Sequence, residues 1–477
     1  MGSLALILVP LLAAFAILFG SPARLTAIIS AAISLVLGFV AAVDPSAGIW
    51  SFSLPVLSDL GVHLSLAIDG MSLVMVLLSV IVLMAAVLSG KAPEQRQRLY
   101  YSSSLFIAAG AIGAFISTDV FFFYAFHELA LIPTFLMIGM LGRNERKSIA
   151  WRVTIFLAIG SMILLVGLLW LVAATGGSFA FADIAANAAA IPTGTQTGIA
   201  ALLIVGFGTL ISLFPFHSWA APAYASAPAP TAMLHAGVLK KFGLYGLLRV
   251  AIPFVPEGMA AWSTWLIVLL LGNILWVGYV TVNQKRMDSM LGNSSVMHMG
   301  YIFIALAALI VNPGNDIAAP AAITLMFAHG VSIAMLFGLA DRIERSTGTL
   351  ELVELGGLAK KAPALAFLFG LAAFASIGLP GLANFSGELM VFVAGFKDYV
   401  PAEGFGAVQI ATILALWGVV ISALYMLRAF RATFQGGLVT STEGASDLSL
   451  VDRIPSIILA VALFAVGLYP NLLLQLL

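Results

Sequence analysis

Three titratable residues stand in the middle of long apolar runs. Glu128 lies in "FFFYAFHELALIPTFLMIGML", Lys241 in "TAMLHAGVLKKFGLYGLL", and Glu388 follows "ASIGLPGLANFSG". A charge at the centre of a bilayer costs at least about 2.5–3.5 kcal/mol, so such residues are rare there without a role. Lysine and glutamate are also types that a low-dielectric setting brings toward neutral pH, where both exchange protons. Two of the three sit near prolines that interrupt a run: "FPFHSWAAPAYASAPAP" precedes Lys241 and "GLPG" precedes Glu388. Interrupted helices expose backbone amides and carbonyls that hold water or ions between ionisable groups. The chemistry indicated is proton or ion movement within a membrane.

Other polar residues fit plainer roles as well. His329, in "ITLMFAHGVSIAMLF", also suits packing between helices. Lys240 points about 100° away from Lys241 on a helix, so the two cannot face one cavity. Lys240 also suits an uncharged amine between helices. Asp341, Arg342, Glu344 and Arg345 fall at the end of a run and read as an interfacial cluster. Asp69 and Asp119 precede apolar runs and suit helix caps.

The elements that must carry these groups follow from composition. Hydrophobic residues make up 62% of the 477 residues and charged ones 9%, which a water-soluble globule does not sustain. Lipid leaves helices or closed barrels as backbone solutions, and runs without period-two alternation select helices. Runs of about 17–25 apolar residues span a bilayer. They fall near 4–20, 25–43, 70–89, 102–117, 119–140 and 152–174, a broken segment at 197–228, then 229–250, 262–281, 291–311 and 317–341. A second broken segment covers 365–397, and 407–430 and 455–476 complete about fourteen crossings. Alternate loops collect 17 of the 21 Lys and Arg residues, which places both termini on the non-cytoplasmic side. The first run lacks a basic flank and reads as a retained helix rather than a signal peptide. Pro215 and Pro380 lie 165 residues apart, in corresponding places of two halves, the sequence mark of a transporter built from repeats.

Zero net charge gives no sign of a nucleic-acid partner. The absence of cysteine excludes disulfides, thiolate metal sites, iron–sulfur clusters and thiol nucleophiles in this chain. The six histidines (His63, His127, His217, His235, His298, His329) lack metal-ligand spacing.

Motifs in order carry a family resemblance over roughly residues 65–470: "AIDGMSL" (67–73), "FHELALIPTFLMIGMLG" (126–142), "FPFHSWAAPAYASAPAPTAMLHAGVLKKFGLYGLLR" (214–249), "SSVMHMGYIFIALA" (294–307), "AHGVSIAMLFGLADRIERSTGT" (328–349) and "GLPGLANFSGEL" (378–389). The chain resembles the antiporter-like subunits of proton-pumping NADH:quinone oxidoreductase, respiratory complex I, and within them subunit M, or chain 4. The resemblance implies an all-α integral membrane protein of about fourteen transmembrane helices, with two inverted five-helix repeats and discontinuous helices 7 and 12. The implied division is 1–101 (helices 1–3), 102–250 (helices 4–8), 262–431 (helices 9–13) and 453–477 (helix 14). It implies proton transfer through Glu128, Lys241, His329 and Glu388, supported by His217, Lys240, His235 and His298. Glutamate at 388, where related subunits carry lysine, is similar to chain 4.

The resemblance further implies no cofactor in this chain. NADH, FMN, iron–sulfur clusters and quinone belong to partner subunits. The partners implied are antiporter-like neighbours and small membrane subunits in a bacterial-type inner membrane. A subunit of a multisubunit Na+/H+ antiporter or of a membrane-bound hydrogenase-type complex is the alternative, and a proton-inactive scaffold is another. Three positions depart from the pattern: Leu210 and Asp288 stand where the family has lysine, and Ala220 makes "WA" of the family's "WL" after the histidine. With Leu210 in place of a cation, Glu128 is expected to be uncharged, without a Lys or Arg partner. The expected partner is a group of the helix-seven break or a water near Ser212, with His217 facing the same cavity and His127 pointing away.

Overall fold

In a lipid interior every backbone N–H and C=O needs an internal partner, and this chain meets that demand with helices. The computed structural model describes residues 1–45, 48–57, 59 and 61–477. Eleven helices among these are long and apolar enough to cross a membrane, and three shorter apolar ones accompany them. In chain order they begin with α1 (Gly2–Leu18), α2 (Ala23–Val43), α3 (Gly70–Ser89), α4 (Gln97–Ile116), α5 (Val120–Leu141) and α6 (Arg146–Ala174). Next come α7 (Thr193–Ile211) and three short helices outside those fourteen, α8 (Ala220–Ser226), α9 (Ala229–Leu234) and α10 (Lys241–Gly246). The remainder are α11 (Pro256–Val282), α12 (Met287–Val311), α13 (Ala318–Thr347), α14 (Pro363–Ile377), α15 (Ala383–Phe396), α16 (Ala407–Phe434) and α17 (Leu450–Leu468).

Burial sorts the helices into two layers. α3, α4, α12 and α13 are almost wholly enclosed, whereas α2, α5, α6, α11, α16 and α17 present large apolar side chains outward. Outward apolar faces such as Ile155, Ile159, Met162 and Val166 on α6 suit lipid or another subunit.

Two interruptions lie where the prolines of the sequence suggest. α7 stops at Ser212, whose φ of +64° ends the helical run, and the chain turns before α8 resumes at Ala220. α14 stops at Gly378, with φ +83°, and α15 resumes at Ala383. Glycine tolerates that conformation because it has no Cβ.

Asp69 and Asp119 do cap helices. Asp69 accepts from Ser72 N–H at 2.9 Å, and Asp119 accepts from Phe121 N–H at 2.8 Å. Asp69 has a second partner that its capping position did not announce, Arg249 at 2.5 Å.

Two local features depart from the sequence reading. An antiparallel hairpin, β1 (Ser51–Leu57) and β2 (Val62–Ala67), fills the connection between α2 and α3. The last long helix ends at Leu468 rather than running to 476, because Tyr469 turns out of helical geometry ahead of Pro470.

Candidate functional site

The centre of the site is set by a close helix crossing. A π-helical turn, His235–Leu239, and Lys240 join α9 to α10, which begins at Lys241. Gly237 in that turn faces Gly330 in α13, and an added Cβ on Gly330 would stand 2.5 Å from the Gly237 carbonyl oxygen. Small residues let the two backbones touch, and the residues beside them meet as a consequence. Lys241 Nζ donates to the Ala236 carbonyl at 2.8 Å and lies 2.9 Å from His329 Nδ1. Both side chains are enclosed. Lysine has no acceptor when charged, so an ammonium at Lys241 requires the lone pair at His329 Nδ1 and the ring proton at Nε2.

His329 in turn lies beside His298 of α12, with ring centroids 5.5 Å apart. His298 Nδ1 is 2.8 Å from the Ser294 carbonyl and its Nε2 is 2.9 Å from the Ser376 carbonyl. Carbonyls only accept, and a neutral imidazole has a single N–H. The imidazolium satisfies both contacts; the neutral ring satisfies one. His298 therefore couples its proton content to holding Ser294 and Ser376 together, the latter two residues before the α14 interruption. On the other side of that interruption, the Glu388 carboxylate sits where a Cβ on Gly378 would otherwise be. Glu388 is buried and its Oε1 has no protein partner among the described residues, and the same holds for His329 Nε2 and the Tyr301 hydroxyl. Buried polar atoms of this kind call for water or a moving partner.

Lys240 and Lys241 diverge as helical geometry requires. Lys240 Nζ donates to the Ser295 carbonyl at 3.2 Å and lies over the Tyr224 ring at 5.8 Å. Tyr224 also contacts His235, with its hydroxyl 3.3 Å from Nδ1. His217 stacks on Phe214 at 5.4 Å and lines an open cavity of about 410 Å³ with Asn144, Ser218, Arg286, Ser289 and Asn293. Asp288, at the family's lysine position, pairs with Arg286 at 2.8 Å.

Glu128 stands apart from this series. Leu210 is buried, and among the described residues no Lys or Arg pairs with Glu128. That part of the expectation agrees with the geometry, but the anticipated partners do not. Glu128 accepts from the Ser161 hydroxyl of α6 rather than from a group near Ser212, and His217 lies in the separate cavity. His127 does not point away: its Nδ1 is 3.6 Å from Glu128 Oε1, while its ring stacks on Phe242 at 4.0 Å. The Glu128 side chain is 37% exposed, on the outer face of α5 and α6. Ser161 was not singled out by the sequence, since it does not stand out from its helix until α5 meets α6.

Residues 117–414 match the family described as NADH:quinone oxidoreductase/Mrp antiporter, TM. The chain belongs to this family. Among curated members, the antiporter-like chain is 34% identical over 379 residues to NAD(P)H-quinone oxidoreductase chain 4 3 of a Picosynechococcus species, covering 79% of this chain and 68% of that one. It is 32% identical over 420 residues to NAD(P)H-quinone oxidoreductase chain 4 of Gloeobacter violaceus, covering 87% and 78%. A chain in the structure of respiratory complex I from Thermus thermophilus with bound NADH superposes with a TM-score of 0.89 at 28% identity, covering 100% of this chain and 98% of that one. A chain of the Mrp complex from a Dietzia species shares the fold, with a TM-score of 0.85 at 22% identity over 100% and 96% of the two chains. This antiporter-like protein is thus a multi-pass membrane protein of the complex I chain 4 kind. No group of three or more His, Asp or Glu residues suited to a metal ion occurs among its described residues.

Proposed function

We propose that this chain is the proton-translocating, non-redox subunit of a complex I-type NADH:quinone oxidoreductase. The observation that carries the reading is the enclosed series Lys241, His329, His298, which ends against the interruption that holds Glu388. Lys241 passes a proton to His329 Nδ1 as the ring releases its own from Nε2, which has no protein partner among the described residues, to a water. Net charge then moves along the series without any redox step. The unpartnered Tyr301 hydroxyl and Glu388 Oε1 are where water would carry it onward. His217 lines the open cavity of about 410 Å³, and Lys240 and His235, which meet at Tyr224, supply the supporting groups between it and Lys241. Glu128, bonded to Ser161 and half-exposed, serves as a relay at the edge of the molecule.

In this reading, NADH, FMN, iron–sulfur clusters and quinone reside in partner subunits, and antiporter-like and small membrane subunits flank this chain. Both termini face the non-cytoplasmic side of a bacterial-type inner membrane. Residues 102–250 and 262–431 form the two repeats, between helices 1–3 (1–101) and helix 14 (453–477). The identity to chain 4 proteins supports complex I over a Mrp-type antiporter, where the likeness extends to the fold alone. Purifying the native complex through a tag on this chain tests the assignment. NADH-oxidising and quinone-site subunits should co-purify, and vesicles bearing the complex should acidify on NADH. Co-purification of only antiporter-type membrane subunits would replace the reading with the Mrp alternative.

A further inference from the structure

The α7 interruption leaves backbone groups in the protein interior that must find partners. One side chain supplies two of the bonds there and a third to α12. Asn273 is fully buried in the π-helical stretch Gly272–Val277 within α11. Its Oδ1 accepts from Phe214 N–H at 2.7 Å. Its Nδ2 donates to the Ser212 carbonyl at 3.1 Å and to the Val296 carbonyl of α12 at 2.9 Å. An asparagine amide offers two N–H donors and one carbonyl acceptor, and here all are engaged. The amide orientation is fixed by these partners, since the flipped form would oppose N–H to N–H and oxygen to two carbonyls. Single π turns inside α-helices often mark functional sites. The interruption is seated directly on this one: a Cβ on Gly272 would meet the Phe214 ring at 2.6 Å.

The third bond reaches the rest of the series. Ser295, next to Val296, accepts from Lys240. One turn of α12 further, His298 contacts Ser376 before the second interruption. α12 therefore holds both interruptions, one through Asn273 and the other through His298. We propose that Asn273 is a positioning residue for proton transfer. It fixes the Ser212–Phe214 turn to α12, so that His217 on one side and Lys240 on the other keep their registers. This rests on the proton-transfer reading above.

Asn273→Leu and Asn273→Asp in the whole complex test it. Leucine removes all three bonds. Aspartate keeps the acceptor for Phe214 N–H but loses both N–H donors. The readouts are amide hydrogen exchange at Phe214 and protons pumped per electron transferred. In Asn273→Leu, exchange at Phe214 should quicken on the order of tenfold for the lost bond, and the pumping ratio should fall. In Asn273→Asp the ratio should fall while Phe214 stays protected, a split that general destabilisation does not produce. Unchanged exchange in Asn273→Leu overturns the bond itself. Quickened exchange with wild-type pumping overturns the positioning role and leaves the functional reading standing. If Asn273→Leu does not assemble, a wild-type ratio in Asn273→Asp overturns the proposal alone. Exchange does not depend on pumping, so a failure of the functional reading is seen separately, as wild-type pumping in Lys241→Ala.

Discussion

Gly330→Ala places one methyl group in the crossing that brings Lys241 to His329. The new Cβ would stand 2.5 Å from the Gly237 carbonyl oxygen and 2.7 Å from Leu78 Cδ1. Leu78 is a side-chain tip and can turn; the carbonyl is backbone and can yield only if the helices part. Reaching ordinary contact at 3.4 Å requires about 0.9 Å of separation. Added to the 2.9 Å between Lys241 Nζ and His329 Nδ1, that gives about 3.8 Å, beyond hydrogen-bond range. Overpacking of this size costs roughly 1–3 kcal/mol, which a well-assembled complex survives. The expected result is a complex that assembles, transfers electrons to quinone and pumps fewer protons per electron. Gly194→Ala is the control, because nothing lies within 4 Å of its added Cβ. Proton pumping by the purified Gly330→Ala complex in vesicles, with the helix spacing read from its structure, is the assay. A parted crossing with an undiminished pumping ratio would refute the claim that direct Lys241–His329 contact matters.

Three further outcomes follow from the geometry. Lys240→Ala should lower pumping less than Lys241→Ala, because Lys240 bonds to Ser295 rather than to His329, measured as the pumping ratio in each assembled complex. Glu128→Gln should slow pumping more gently than Lys241→Ala, since Gln keeps an acceptor for the Ser161 hydroxyl; an equal loss in the two variants would contradict its place as an edge relay. The purified single chain should bind neither NADH nor flavin, as seen by absorbance and equilibrium dialysis, and stoichiometric flavin would overturn the non-redox assignment.

Much of the site was legible because a membrane makes charge conspicuous. Lys241 and Glu388 stand out against lipid-length apolar runs, and Pro215 and Pro380 stand close to where α7 and α14 stop. The 100° offset between consecutive helical residues correctly separated Lys240 from Lys241. The same rule misjudged His127 and Glu128. It fixes where side chains leave the helix, not where flexible ends finish, and their tips stand 3.6 Å apart. Ser161 and Asn273 were not legible for another reason. Their roles depend on which helix lies opposite, α5 for the first and the α7 interruption for the second, and that is decided by tertiary packing. The hairpin at Ser51–Leu57 and Val62–Ala67 lies in the connection between two spans, outside the lipid-length apolar runs that make the helices legible.

The central claim is that protons cross this subunit by way of Lys241. The most direct measurement is the ratio of protons pumped to electrons transferred by an assembled Lys241→Ala complex in sealed vesicles. Alanine removes the group that lies 2.9 Å from His329 and leaves the glycine crossing untouched. The account predicts normal assembly and a strongly reduced ratio. A wild-type ratio in the assembled variant would contradict it.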